Sequence, residues 1–352
     1  MENVIIAAIS FLAVLVPLVI VHELGHFVTA KLAGVVVQEF GFGYPPRLFA
    51  VKWKGTEYSI NILPLGGFVK LLGEEDPGEP GSLASKGVKT RLAILASGSA
   101  MNAIFPIALF SIAFMMPGPV PEGPVKIVQV MSGSPAEKAG LRAEDVILSI
   151  NGEAIIALPD VGRAIQKSLG TELEMALSRN SEQYSTRMTP RSNPPPGEGA
   201  TGIVISNLII KSYPVWEAVP LGFKATFQMV GQIKSGLVRM VAGEQGERLN
   251  LTGPIGIAQL SGEVAKRDPL APLGLAAFLS INLAILNMLP IPALDGGRSL
   301  FVIIEGLRGG KRVPPEREGL VHLIGFAFLM ALILIISAND LMRIYRGENL
   351  LP

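Results

Sequence analysis

The sequence predicts a polytopic α-helical membrane protein of about four transmembrane helices, with a membrane-associated β-hairpin or small sheet and an inserted α/β domain. Three observations predict it. Of 352 residues, 49% are hydrophobic and only 17% charged, whereas an ordinary soluble domain carries roughly 25% charged residues. Four stretches, Val4 to Val21, Leu92 to Pro121, Leu270 to Leu294 and Leu320 to Ala338, are almost free of charge. Each holds about 18 residues or more, enough to cross a hydrocarbon core of roughly 30 Å. The segments between them carry strand and turn patterns. A formal net charge of +1 gives no support for a nucleic-acid partner. The lack of cysteine excludes disulfides, thiolate metal ligands and a cysteine nucleophile.

The first span opens Met1-Glu2-Asn3, without the basic lead-in of a secretory signal and with no small-residue cleavage site after it, so a retained helix is expected. Strand-like segments follow between about residues 36 and 72: Glu39 to Tyr44, Glu57 to Ile62 and Gly67 to Lys70, separated by glycine and proline turns. Such a sheet can dip into a membrane if its backbone pairs internally or lines a cavity. With the second span it completes a first region, 1–121. Basic residues collect on the cytoplasmic side of membrane proteins. Lys31, Arg47, Lys52, Lys54, Lys70, Lys86, Lys89 and Arg91 therefore place the loop between spans one and two in the cytoplasm. Arg308, Lys311, Arg312 and Arg317 between the last two spans agree, and Arg343 and Arg346 at the far end oppose. Both termini and the segment from Glu122 to about Asp268 are expected outside.

Residues 122–208 alternate strands, Val125 to Val130 and Val146 to Ile150, with a helical run from Leu158 to Leu169. The order of the Gly133-Ser134-Pro135 turn, a short helix, the strand at Val146 and the Asn151-Gly152 turn resembles a PDZ domain of the bacterial protease type; an unrelated small α/β domain is the alternative. Asn193 to Gly197 is proline-rich and reads as a loop. In the next region, 209–268, Trp216, Val219, Phe223, Phe227, Val230, Ile233, Leu237 and Val241 recur at helical spacing. That helix, Tyr213 to Gly243, would lie on a membrane surface or pack on the domain before it. Residues 269–352 hold the last two spans.

Chemistry concentrates inside the first membrane-spanning helix, at the end of its apolar run, in His22-Glu23-Leu24-Gly25-His26. Histidines four apart on a helix project from one face and can share a metal ion. Glu23 beside them can take a proton from a metal-bound water, and zinc suits this because it lowers that water's pKa to about 7. The pattern alone arises by chance in roughly one chain of this length in a hundred, so position carries the inference. Charge at a helix centre costs about 2.5–3.5 kcal/mol on insertion scales, and a metal offsets that cost. The bland alternative is a helix end emerging into water.

Two histidines and a water leave a tetrahedral zinc one ligand short. Asn287-Met288-Leu289-Pro290-Ile291-Pro292-Ala293-Leu294-Asp295-Gly296-Gly297 offers Asp295 in an apolar run that its prolines must break. A surface turn in which Asp295 caps the next helix is the competing reading. His322, in the fourth span, reads as a packed or interface histidine.

These motifs together resemble the site-2 protease family of intramembrane zinc metalloproteases, in its bacterial RseP-type branch with a single PDZ domain. Pro64 to Lys70 and Asn250 to Ile257 add to a likeness that covers essentially the whole chain. The resemblance implies one Zn2+ ion held by His22, His26 and Asp295, Glu23 as general base, and Asn287 helping to hold substrate. It implies a multi-pass protein of the bacterial inner membrane, cutting single-span membrane proteins already trimmed by another protease, with membrane lipid as surroundings. Anti-sigma factors and remnant signal peptides are the implied substrates, and the PDZ domain the implied size filter. The strand region resembles a membrane-reentrant β-hairpin, and Tyr58, Ile60 and Ile62 are candidates for a strand edge that captures unwound substrate. Alternatively, these strands only roof the active site. The second span departs from the family in lacking a proline after Gly98, and Asn102 is given a structural or substrate-adjacent place.

Overall fold

Two compact units make up the protein, one of residues 1–115 with 214–352 and the other of 116–213. The structure, a computed structural model, describes residues 2–74, 79–195, 197–242 and 252–347. Pro196, Gly243, Asn250 and Leu251, which figure in the sequence reading, lie outside them.

The first unit begins with α1 (Glu2–Leu32), then β1 (Val37–Trp53), β2 (Thr56–Leu71) and α2 (Val88–Met115). It resumes with α5 (Val215–Ala242), α6 (Pro254–Arg267), α7 (Ala271–Met288), α8 (Asp295–Leu307) and α9 (Pro315–Tyr345). Four of the described helices are long and apolar enough to cross a membrane: Ile5–Leu32, Val88–Met115, Ala271–Met288 and Pro315–Tyr345. Val14 and Leu18 of α1 pack with Leu109 of α2 and Ala276 and Ala277 of α7, locking three of these together.

The spans differ from the charge-free stretches at their ends, for physical reasons. The first helix continues past the charge-free stretch, through His26 to Leu32, so the histidine motif lies inside it, as expected. The second starts at Val88, ahead of Lys89 and Arg91, because the buried Arg91 is neutralised by Glu305 of α8 at 2.5 Å. It stops at Met115, where the chain turns extended. The third ends at Met288, because Pro290 has no N–H to continue the ladder.

The β region holds the three expected segments and a fourth, 47–53, all within two long bent strands. Phe40 lies opposite Val69 on one side and Tyr58 on the other, and Tyr58 in turn lies opposite Val51. The segment order is therefore 67–71, 37–42, 57–61, 47–53. Val37 and Leu71 join Ala30, Val35, Leu83 and Ile94 in a core that seats the sheet on α1 and α2.

Within the first unit, the helix at 215–242 packs on α2. Its small residues Ala218, Gly222 and Thr226 turn inward, and Gly222 sits against the Ile107 carbonyl and Ser111 of α2. Trp216, Phe223 and Phe227 face outward, 75%, 52% and 60% exposed. In a membrane the small face makes the helix contact, and the large apolar face is the one lipid can cover. The N-terminus of α6 is held by the buried Asp340 of α9, which accepts from the N–H groups of Gly253 and Gly256 at 2.9 and 2.8 Å.

The second unit contains β3 (Gly118–Val120), β4 (Lys126–Val130), α3 (Pro135–Lys138), β5 (Val146–Ile150), β6 (Glu153–Ala154) and α4 (Leu158–Lys167). Then come β7 (Leu173–Arg179), β8 (Glu182–Met188), β9 (Ile203–Ser206) and β10 (Ile209–Lys211). Its sheet order is β8-β7-β5-β4-β9, with β6 on β5. Ile127, Ile147, Ile150, Leu173, Met175 and Leu177 fill its core under Val161 and Ala164 of α4. The Asn151-Gly152 turn has φ of 49° and 77° at its two central residues, as a tight hairpin requires. The unit is wider than 122–208 because β3 and β10 pair with each other across its two ends. Asp145, fully buried, accepts from the Arg142 N–H, the Arg179 guanidinium and the Tyr184 hydroxyl, all within 2.8 Å.

Candidate metal centre

One face of α1 carries His22 and His26, while Ile20, Leu24 and Val28 around them point outward, 37% to 43% exposed. An imidazole-bearing inner face with an apolar outer face is what a helix needs if lipid surrounds it.

Asp295 reaches the histidines through the predicted break. The chain leaves α7 at Leu289 in an extended conformation, passes Pro290 and Pro292, and re-enters a helix at Asp295, the first residue of α8. Ala293 adopts φ +74°, uncommon without glycine and costing about 1–3 kcal/mol. His322 of α9 helps hold this turn, accepting from the Ala293 N–H at 2.9 Å while its ring packs on Phe301. Gly296 allows the close approach: a Cβ there would lie 2.2 Å from the Leu289 carbonyl oxygen.

Three lone-pair atoms converge as a result. His22 Nε2 and His26 Nε2 lie 3.1 and 3.2 Å from Asp295 Oδ2, and 3.3 Å from each other. This grouping is the one set of three or more potential metal ligands among the described residues. At metal–ligand distances near 2.05 Å, tetrahedral geometry puts ligands about 3.3 Å apart, so a zinc ion fits this triangle. His26 donates its Nδ1–H to the Ile94 carbonyl at 2.8 Å, which leaves Nε2 free for a metal. His22 Nδ1 lies 3.4 Å from the side-chain amide of Asn102.

Helix α2 closes the back of the site. Gly98 faces both rings, and a Cβ there would lie 2.3 Å from His26 Nε2. In front is a cavity of about 440 Å³ lined by His22, Glu23, His26, the strand from Gly67 to Leu71, and Asp295 with Arg298. Glu23 thus opens onto the same space as the three ligand atoms. Gly67 brings the strand onto it, since a Cβ at Gly67 would sit 3.0 Å from Glu23 Cγ. Arg298 is paired with Glu74 at 2.9 Å.

The remaining candidates are placed differently. Tyr58 and Ile60 each have strand neighbours on both sides, Phe40 with Val51 and Phe42 with Phe49. This corrects the assignment of a free edge to them: their backbone groups are already spoken for. Tyr58 instead packs with Phe27, Phe40 and Trp53. Ile62 is 49% exposed and, like Tyr58 and Ile60, does not line the cavity. The segment 67–71 has partners on one side alone among the described pairings. Asn287 lies half-buried in the last turn of α7, also off the cavity lining. Sequence reasoning missed the contact of Gly98 with the rings and of Asn102 with His22; the one signal was their spacing of four in a small-residue stripe.

The pattern of peptidase family M50 matches residues 10–332. A relative from Clostridium perfringens is 34% identical over 325 residues, 92% of this chain and 95% of that protein. The zinc metalloprotease RasP of Geobacillus kaustophilus is 30% identical, over 96% of this chain and 98% of its own. The regulator of sigma-W protease RasP of Bacillus subtilis is 29% identical, with the same shares.

Proposed function

The chain belongs to peptidase family M50 and is a zinc metalloprotease of the site-2 protease kind in a multi-pass membrane protein; from that premise we propose that it hydrolyses peptide bonds within transmembrane segments of other proteins. The observation that carries this is the convergence of His22, His26 and Asp295 within 3.3 Å on helices of the membrane-spanning unit. These three residues would hold the ion. Zinc, when bound, supplies an acidified water and polarises the scissile carbonyl.

The rest falls to the chain itself. Glu23 takes the proton from the attacking water and delivers it to the leaving amine. Apolar side chains around the motif and the closed back wall at Gly98 limit bulk water. A transmembrane helix presents no cleavable bond while its amides are sealed in helical hydrogen bonds, so a segment must extend first. The one-sided strand from Gly67 to Leu71, which lines the same cavity as Glu23, is the edge that would capture it by main-chain pairing. Asn287 would steady the segment beyond the cavity.

Basic residues after α1 favour an active site toward the cytoplasm, with the PDZ-like second unit outside the bacterial inner membrane. The Bacillus subtilis relative is named for regulating sigma-W. By analogy the substrates proposed are single-span proteins such as anti-sigma factors, or remnant signal peptides, already shortened by another protease. The test is Glu23→Gln, reconstituted with zinc and a single-span reporter. Loss of cleavage with zinc retained is expected, and unchanged cleavage contradicts the role of Glu23.

A further inference from the structure

We propose that Asn102 is a positioning residue that fixes the ring tautomer of His22, by accepting a hydrogen bond from His22 Nδ1–H through its side-chain oxygen. This rests on the assignment of His22, His26 and Asp295 as ligands. The atom of His22 turned to the other two is Nε2. To bind a metal, Nε2 must present a lone pair, so the ring proton must sit on Nδ1. For His26 the Ile94 carbonyl provides that arrangement. For His22 the group facing Nδ1 is the Asn102 amide, at 3.4 Å.

The Asn102 side-chain nitrogen faces the ring, while its Oδ1 is buried without a partner. An N–H2 group facing an Nδ1–H is repulsive. A half-turn of the amide exchanges oxygen and nitrogen in place. It gives the orphan oxygen a donor and His22 the acceptor it needs. The site is built to hold that side chain. Asn102 is 0% exposed, and its main-chain carbonyl accepts from Ser280 Oγ at 2.7 Å, fastening α2 to α7 at this level. The two histidines would then have different anchors, a main-chain carbonyl for one and a side-chain amide for the other. Only the second can be changed by substitution.

The experiment uses the full-length protein in detergent, with histidine labelled by 15N; the chain has only three histidines. Zinc affinity is read by chelator competition and the ring tautomers by NMR. In the wild type with zinc, His22 should carry its proton on Nδ1. Asn102→Leu, close in shape but without an acceptor, should weaken zinc about 10- to 100-fold. Asn102→Asp should keep wild-type affinity and move the His22 Nδ1 proton downfield. Wild-type affinity in Asn102→Leu, equal losses in Leu and Asp variants, or a proton on His22 Nε2 in the zinc-bound wild type would each overturn the proposal. His22→Ala is the control that separates the two readings: if it binds zinc as wild type does, the ligand assignment itself fails. If it loses zinc while Asn102→Leu does not, only the role of Asn102 fails. Should Asn102→Leu not fold, the wild-type tautomer and the Asp variant still decide.

Discussion

Replacing Gly98 by alanine adds one methyl group, and its consequence can be worked from distances. The new carbon would lie 2.3 Å from His26 Nε2, and 2.7 and 2.9 Å from two atoms of the His22 ring. Non-bonded carbons are at ease near 3.5 Å, so the imidazoles or helix α2 must move by about 1 Å. Overpacking of this kind costs about 1–3 kcal/mol of stability. The larger effect falls on the site, where a misplacement of about 1 Å can cost about 100-fold in rate. Zinc content of the purified protein and cleavage of a single-span reporter measure it. The Gly98→Ala protein should lose most of its zinc and at least about 100-fold of its rate. Gly231→Ala on α5, where an added methyl meets nothing within 4 Å, should change neither. Full zinc and full rate in Gly98→Ala would refute the placement of α2 against the histidines.

The substrate-capturing edge can be tested with proline. Successive strand residues turn their N–H groups to opposite sides, so of Phe68→Pro and Val69→Pro one removes an N–H facing β1 and the other a free one. The free-edge variant should fold normally and lose cleavage; if both variants cleave normally, capture by this strand is wrong. In the second unit, burial raises the pKa of Asp145, but the Arg179 guanidinium, the Arg142 N–H and the Tyr184 hydroxyl outweigh it and hold the carboxyl below its usual value. Its stabilisation is therefore full above the unfolded value of about 3.9 and is lost as pH falls through the lower folded value. Asp145→Asn should cost about 1.5–3 kcal/mol at neutral pH, seen as faster hydrogen exchange in β5 and β7, with a shallower acid dependence than wild type.

What could be read from the sequence was chemistry fixed by residue type. Histidines four apart on a helix and an aspartate after two prolines have few other uses in an apolar run, and all three meet. Strand segments were legible for the same reason, because glycine and proline mark turns locally. Their pairing was not: Phe40 serves two neighbours at once, a tertiary choice that alternation cannot encode, and it moved the free edge from Tyr58 to Gly67. Helix ends were misjudged where a charge is neutralised at a distance, as Arg91 is by Glu305. For the helix at 215–242 the spacing left membrane contact and packing both open, since an apolar face signals packing in water and exposure in lipid alike. For Gly98 and Asn102 the spacing of four marks a helix-packing face but not its partner, because the contact with the histidines exists only once α2 lies against α1.

The measurement closest to the central claim is a map of the bond cut in a single-span reporter, by mass spectrometry of both fragments, with wild type and Glu23→Gln protein in the presence of zinc or a chelator. A cut inside the reporter's apolar segment, present only with zinc and Glu23, is the result predicted. Cleavage confined to the reporter's soluble flanks, or persisting in the chelator or with Glu23→Gln, would contradict it.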